Sequence, residues 1–235
     1  MSNNKKKTYR VGLESVHSVR WTAWLLDLPG CCAVAGSREE ALESVPVVAR
    51  KYTEWMQQYG LTPLWDLPRK ASARAEVVQA FEAYPSPRRP SRLVRAFFDD
   101  DRRPLSEAEV GFVLRLLSCI RQELLHVIEA VPPGSLATFL PDDRFGSING
   151  LLGHIATTEW WLCDRLHLAI PSHSIPDVPL AQLEAVRANT LHRLPELTGD
   201  DRVIRRAGEL WSARKVVRRL LWHERKHTAG LVAML

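Results

Sequence analysis

Apolar residues recur at helical spacing from Ser106 onward in four successive stretches, each ended by a break. Val110, Val113, Leu114, Leu117, Leu124, Leu125 and Ile128 mark the first, which stops at Pro132-Pro133-Gly134. Ser147 opens the second, where Ile148, Leu151, Leu152, Ile155 and Leu162 form the stripe, and it ends before Pro171. Leu180, Leu183, Leu191 and Leu194 mark the third, and Ser212 caps the fourth. A helix with one apolar face must cover it, and four in succession cover one another. The pattern predicts a four-helix bundle over residues 106–235.

The first sixty residues are patterned differently. Tyr9 to His17 and Arg20 to Leu28 read as short strands rich in Val, Trp and Leu, separated by a tight turn. Asp27-Leu28-Pro29-Gly30 breaks the second, Cys31 to Ala35 forms a third, and Ser37 with Glu40 makes a capping box. The helix it starts is expected to run to about Tyr59. The predicted fold class is therefore α+β, a β-β-β-α domain over residues 1–60 followed by the bundle. The stretch Trp21-Thr-Ala-Trp-Leu-Leu-Asp27-Leu-Pro29-Gly30-Cys31, then Gly36-Ser-Arg-Glu-Glu40-Ala41-Leu, resembles the HicB-like domain. That resemblance implies an interaction or dimerisation role. Between the two lies residues 61–105, interrupted by Pro63, Pro68, Pro85, Pro87, Pro90 and Pro104. It reads as a proline-rich linker with short helices over Ala71–Ala83 and Arg92–Phe98.

Charge and cysteine content narrow the function classes. A formal net charge of +5 is mild and does not indicate nucleic-acid binding. Cys31, Cys32, Cys119 and Cys163 form no C-x-x-C pair and no repeated spacing, which points to a reducing compartment. Lys5, Lys6 and Lys7 have no apolar run behind them, so neither a signal peptide nor a membrane anchor is expected. No stretch approaches the roughly 18 apolar residues of a membrane helix. The expectation is a cytoplasmic protein with no membrane partner, in which either domain type is compatible with a homodimer.

The chemistry concentrates near the C-terminus, where His223-Glu224-Arg225-Lys226-His227 matches the H-E-x-x-H pattern of zinc peptidases. Projected at 100° per residue, Ala213, Val216, Val217, Leu220, Leu231 and Met234 share one side of this helix. Arg214, Lys215, Arg218, Arg219, Arg225 and Lys226 lie opposite and read as a solvated basic face. Glu224 and His227 fall within the apolar side and His223 at its edge, so these polar groups need partners. One answer is a divalent metal, since imidazoles four residues apart on a helix reach a common ion. The other is a set of hydrogen-bonded core histidines with Glu224 paired to a buried arginine; Arg121, which projects into the stripe of the first helix, is the candidate. A peptidase takes its third ligand downstream, and none of the eight residues after His227 is a His, Cys, Asp or Glu. A third ligand must lie upstream. His154 flanks the stripe of the second helix, while His126 and His192 project to solvent, His167 and His173 lie at or beyond the second helix, and His17 lies in the other domain.

Ser147-Ile-Asn-Gly-Leu-Leu-Gly-His154-Ile-Ala-Thr-Thr-Glu-Trp-Trp161 and Trp211-Ser-Ala-Arg-Lys-Val-Val-Arg-Arg-Leu-Leu-Trp-His223-Glu-Arg-Lys-His227 resemble the DinB-like proteins, four-helix bundles holding a metal on three histidines. The resemblance covers about residues 106–235 and maps the ligands onto His154, His223 and His227. It implies zinc or nickel as cofactor, both of which suit imidazole. It further implies a thiol-dependent S-transferase or isomerase using a low-molecular-weight thiol, with a small-molecule substrate. Glu224 is then expected as a general base or a partner of the ligands, with Asn149 and Glu159 behind them. Trp160, Trp161 and Trp222 are expected to pack between helices. The alternative is a non-enzymatic, metal-stabilised binding or stress-response regulatory protein.

Overall fold

A computed structural model of the chain describes residues 8–68, 73–138 and 144–234, so Lys5, Lys6 and Lys7 and the first two residues of the Ala71–Ala83 stretch lie outside the described residues. The chain divides into two compact units, one of residues 1–103 with 205–211, the other of residues 104–204 with 212–235.

In the first unit, β1 (Tyr9–Val16), β2 (Arg20–Leu25) and β3 (Cys32–Ala35) form an antiparallel meander. His17 and Ser18 turn β1 into β2 with φ of 50° and 55°. Two left-handed residues in succession give a turn whose twist matches that of paired strands. The helix expected over residues 38–59 is two helices, α1 (Arg38–Glu43) and α2 (Val45–Gln58). Pro46 has no N–H to donate to Leu42, whose carbonyl accepts from Ser44 instead, and the chain restarts with the proline in the first turn of α2.

The proline-rich segment is not a helical linker. It supplies β4 (Ala75–Ser86) and β5 (Arg89–Val94), completing a sheet of order β3-β2-β1-β4-β5 in which β4 runs parallel to β1. Burial in β4 alternates residue by residue, with Ala75, Val77, Gln79, Phe81 and Ala83 on the more buried face. Its Ala and Glu content favours helix, and pairing with β1 overrides that preference, as strand formation commonly does. Helix formation over Arg92–Phe98 is likewise absent: Arg92 to Val94 belong to β5, and Ala96 donates its N–H to the buried Glu14. Glu14 also accepts from the Trp24 indole at 3.0 Å and pairs with Arg95 at 2.8 Å. This fixes the covering segment, and Phe98 lies flat over Gly12, where a Cβ would stand 2.5 Å from the ring. Gly12→Ala is therefore expected to destabilise the protein by about 1–3 kcal/mol through overpacking, measured by urea unfolding. A hairpin, β6 (Ile204–Arg206) and β7 (Glu209–Trp211), belongs to this unit from Arg205 on, with the Ala207 carbonyl accepting from the Ser86 hydroxyl at 2.7 Å.

The second unit contains the four predicted helices: α3 (Glu107–Glu129), α4 (Ile148–Asp164), α5 (Pro179–Arg193) and α6 (Ala213–Met234). Ser106 and Glu109 cap α3 reciprocally, Ser147 caps α4 through the Gly150 N–H, and Ser212 accepts from the Lys215 N–H at the start of α6. The helix α6 packs on α3 and α4, and α4 on α5. Val110, Val113, Leu117, Leu124, Ile128, Ile148, Leu151, Leu152, Ile155, Leu162, Leu183 and Leu231 are buried as the stripes require, whereas Leu125, Leu180 and Met234, expected in the same stripes, are exposed. The start of α6 departs from expectation. Arg214, Lys215 and Arg218 are buried, Lys215 completely, and are not a solvated face. Arg214 bridges to Glu109 at 2.8 Å and donates to the Pro104 carbonyl at 2.9 Å. Among the described residues no helix is long and apolar enough to cross a membrane.

Candidate metal centre

His154 comes from the middle of α4, and His223 and His227 from successive turns of α6. One ring nitrogen of each lies within 4.8 Å of the other two, and the Nε2 atoms of His154 and His223 are 3.1 Å apart. Two nitrogens bound tetrahedrally at zinc–nitrogen distances of roughly 2.0–2.1 Å stand about 3.3 Å apart, so the His154–His223 pair already has the spacing a shared ion needs. Each imidazole faces the others, with ring centroids 4.5 Å apart for His223 and His227 and 5.0 Å for His154 with either.

The electrostatics favour the neutral, ligand form of His154 and His223. Burial drives the His223 pKa down, and the neighbouring His227 and His154, with Arg219 and Lys226, bring it to about 2. His154 is lowered by burial and by the cations Arg144 and Lys226. A metal binds neutral imidazole, so little proton displacement opposes binding at neutral pH. Phe145 closes one side: its ring is 4.6 Å from that of His154, tilted, and 5.4 Å from that of His227, edge-on. Arg144 stacks on Phe145, its guanidinium 4.6 Å from the ring. Phe145 was not singled out from the sequence, because it precedes α4 in a segment without periodicity. Its place depends on Gly150, where a Cβ would stand 2.1 Å from the Phe145 carbonyl oxygen.

Glu224 is buried beside the trio, but its carboxylate is directed at arginines. Oε1 accepts from Arg121 Nε at 2.7 Å, and Oε2 accepts from Arg121 Nη2 at 3.1 Å and from Arg187 Nη2. The pairing with Arg121 that the helix projection pointed to is present. Glu159 is held in the same way, accepting from Arg187 Nε at 2.8 Å and from Nη2 of Arg187 and of Arg121 at 3.0 Å. Burial alone would raise the Glu159 pKa, and Arg187 and Arg121 hold it below the usual carboxylate range. Arg187 is the residue that sequence reasoning missed. Its signal was its position one turn beyond Leu183, on the buried side of α5. Asn149 donates its backbone N–H to the Leu136 carbonyl at 2.9 Å, near the start of α4 and away from the level of His154. Trp160 donates its indole N–H to the Ile170 carbonyl, bracing the end of α4, while Arg165 stacks on Trp161 and both Arg219 and Lys226 stack on Trp222.

Residues 116–230 match the family model of the DinB superfamily. This match and the three-histidine cluster are compatible with a metal-dependent protein. No curated protein and no solved structure matches the chain. The DinB-like region runs through α4, α5 and most of α6, so it includes all three histidines and all four members of the arginine–glutamate cluster. A narrow crevice lined by Ile155, Glu159, Leu162, Leu220, His223 and Glu224 joins the two groups. The DinB-like unit also buries Cys163, whose thiol is pushed up to about 12 by burial and by Glu159. That thiol stays protonated at neutral pH and offers no nucleophile.

Proposed function

We propose that His154, His223 and His227 hold a divalent metal, zinc or nickel, and that the protein is a metal-dependent enzyme acting on a low-molecular-weight thiol and a small electrophilic substrate. The observation that carries this reading is the convergence of three imidazole nitrogens within 4.8 Å, drawn from two helices of the DinB-like unit. Three protein ligands leave a coordination position for a further group, which is the arrangement of a catalytic metal and not of a structural one. When bound, the metal supplies Lewis acidity, which lowers the pKa of a coordinated thiol toward neutrality. The chain's own residues orient and shield. Phe145 excludes water from one flank of the imidazoles, and Arg144, Arg219 and Lys226 surround them with positive charge that favours an anionic ligand.

Glu224 is assigned a positioning role in this scheme and not that of a general base. A general base must reach the proton it takes, and both oxygens of Glu224 are occupied by guanidinium donors. The sheet-bearing unit is read as a HicB-like module with an interaction or dimerisation role, on the strength of the Asp27-Leu28-Pro29-Gly30-Cys31 turn and the strand order around it.

The test is a thiol-transfer assay on metal-loaded protein, with glutathione or bacillithiol and a chloronitrobenzene electrophile. Transfer above the protein-free rate, lost in His154→Ala, is the expected outcome. Equal rates for the two proteins would leave the second reading, a metal-stabilised binding protein, which the narrowness of the crevice beside His223 favours.

A further inference from the structure

Four charged side chains, one from each helix of the bundle, meet in its interior: Arg121 of α3, Glu159 of α4, Arg187 of α5 and Glu224 of α6. All four carboxylate oxygens accept from guanidinium nitrogens, and the spare nitrogens of the arginines donate to the backbone carbonyls of Leu183 and Leu117. The two positive and two negative charges cancel. Holding helices together does not require such a cluster, because apolar side chains of similar volume do so equally well or better. What charged forks add is direction, since a guanidinium and a carboxylate bond strongly only when coplanar and in register.

The position of the cluster gives that direction a use. Glu224 immediately follows His223 and precedes His227 by three residues, so a fixed Glu224 carboxylate fixes the rotation of α6 and its height along the bundle. Glu159 stands five residues beyond His154 on α4, and it is gripped by the same two arginines. The two helices that carry the imidazoles are thereby tied to common anchors on α3 and α5. His223, Glu159 and Glu224 line one crevice, so the cluster adjoins the trio at His223. We infer that Arg121, Glu159, Arg187 and Glu224 are positioning residues for the metal centre, setting α4 and α6 in the register at which the His154 and His223 nitrogens stand 3.1 Å apart. The inference rests on the metal reading above.

The experiment is a Co²⁺ titration of chelator-stripped full-length protein, followed by the visible absorption of the bound ion, which reports coordination number and geometry. Glu159→Gln removes one charge while keeping shape, and Arg187→Lys keeps the charge and removes the fork. Val110→Ala is the control: it truncates a buried core residue of α3 about 16 Å along the helix from Arg121. Expected for Glu159→Gln and Arg187→Lys is Co²⁺ binding at least tenfold weaker with an altered band, against wild-type affinity and spectrum for Val110→Ala. If both cluster variants bind with wild-type affinity and spectrum while melting at lower temperature, the cluster is structural only and the inference is overturned. If Glu159→Gln does not fold, Arg187→Lys decides alone on the same criteria. Failure of the wild-type protein to take up Co²⁺ would overturn the metal reading and this inference with it, an outcome distinct from failure of the positioning role alone.

Discussion

His154→Ala is expected to weaken divalent metal binding on the order of a hundredfold or more, beyond the 10–100-fold typical of losing a residue that merely supports a ligand. The same loss is expected for His223→Ala and His227→Ala, because two imidazoles four residues apart are a weak site without the third. Metal analysis of the purified proteins and calorimetric titration check it. Protein stability supplies an independent readout. A metal bound only by the folded chain, present at a hundred times its dissociation constant, stabilises by about 2.7 kcal/mol. Added metal should raise the melting temperature of the wild-type protein and leave each variant unmoved. His154 and His223 are only partly buried, so the variants are expected to retain their fold without metal. Stoichiometric metal in all three variants would sink the assignment of the site.

The second large effect concerns Arg187. Substitution by methionine removes one of the two arginines that pair with both Glu159 and Glu224, leaving two buried carboxylates facing Arg121 alone. Breaking a buried ion pair from one side destabilises by about 3–5 kcal/mol, because the remaining charge stays desolvated and uncompensated. Urea unfolding should register this as a fall in midpoint with unchanged slope. Exchanging all four residues for apolar side chains of matching volume should recover most of that stability, since no charge is then left unpaired. A midpoint for Arg187→Met within experimental error of wild type would show that the cluster is not a tightly coupled unit.

The helical half was legible because each stripe is long and each break carries a proline or a capping serine, and those signals act locally. The strand β4 was not. Ala75 to Ala83 holds residues common in helices, and what makes it a strand is pairing with Tyr9 to Val16, a partner remote in sequence that leaves no mark in the segment itself. Within the site, the inward direction of Glu224 and the intrusion of Arg121 into an apolar stripe could be read by projection. Arg187 occupies an equivalent position and was passed over, since an arginine on a helix is solvated more often than buried. Projection also placed Arg214, Lys215 and Arg218 in solvent, because it knows the faces of one helix and nothing of what covers them.

The hairpin Ile204–Trp211 has a consequence for how the chain is divided. Its residues 205–211 belong to the first unit, yet they are spliced between α5 and α6 of the second, so the backbone crosses from one unit to the other three times. No single cut separates them. A fragment beginning at Pro104 would carry an orphaned piece of the sheet-bearing unit, and one ending at Arg103 would lack it. The helix bearing His223 and His227 therefore follows along the backbone directly from a segment of the other unit.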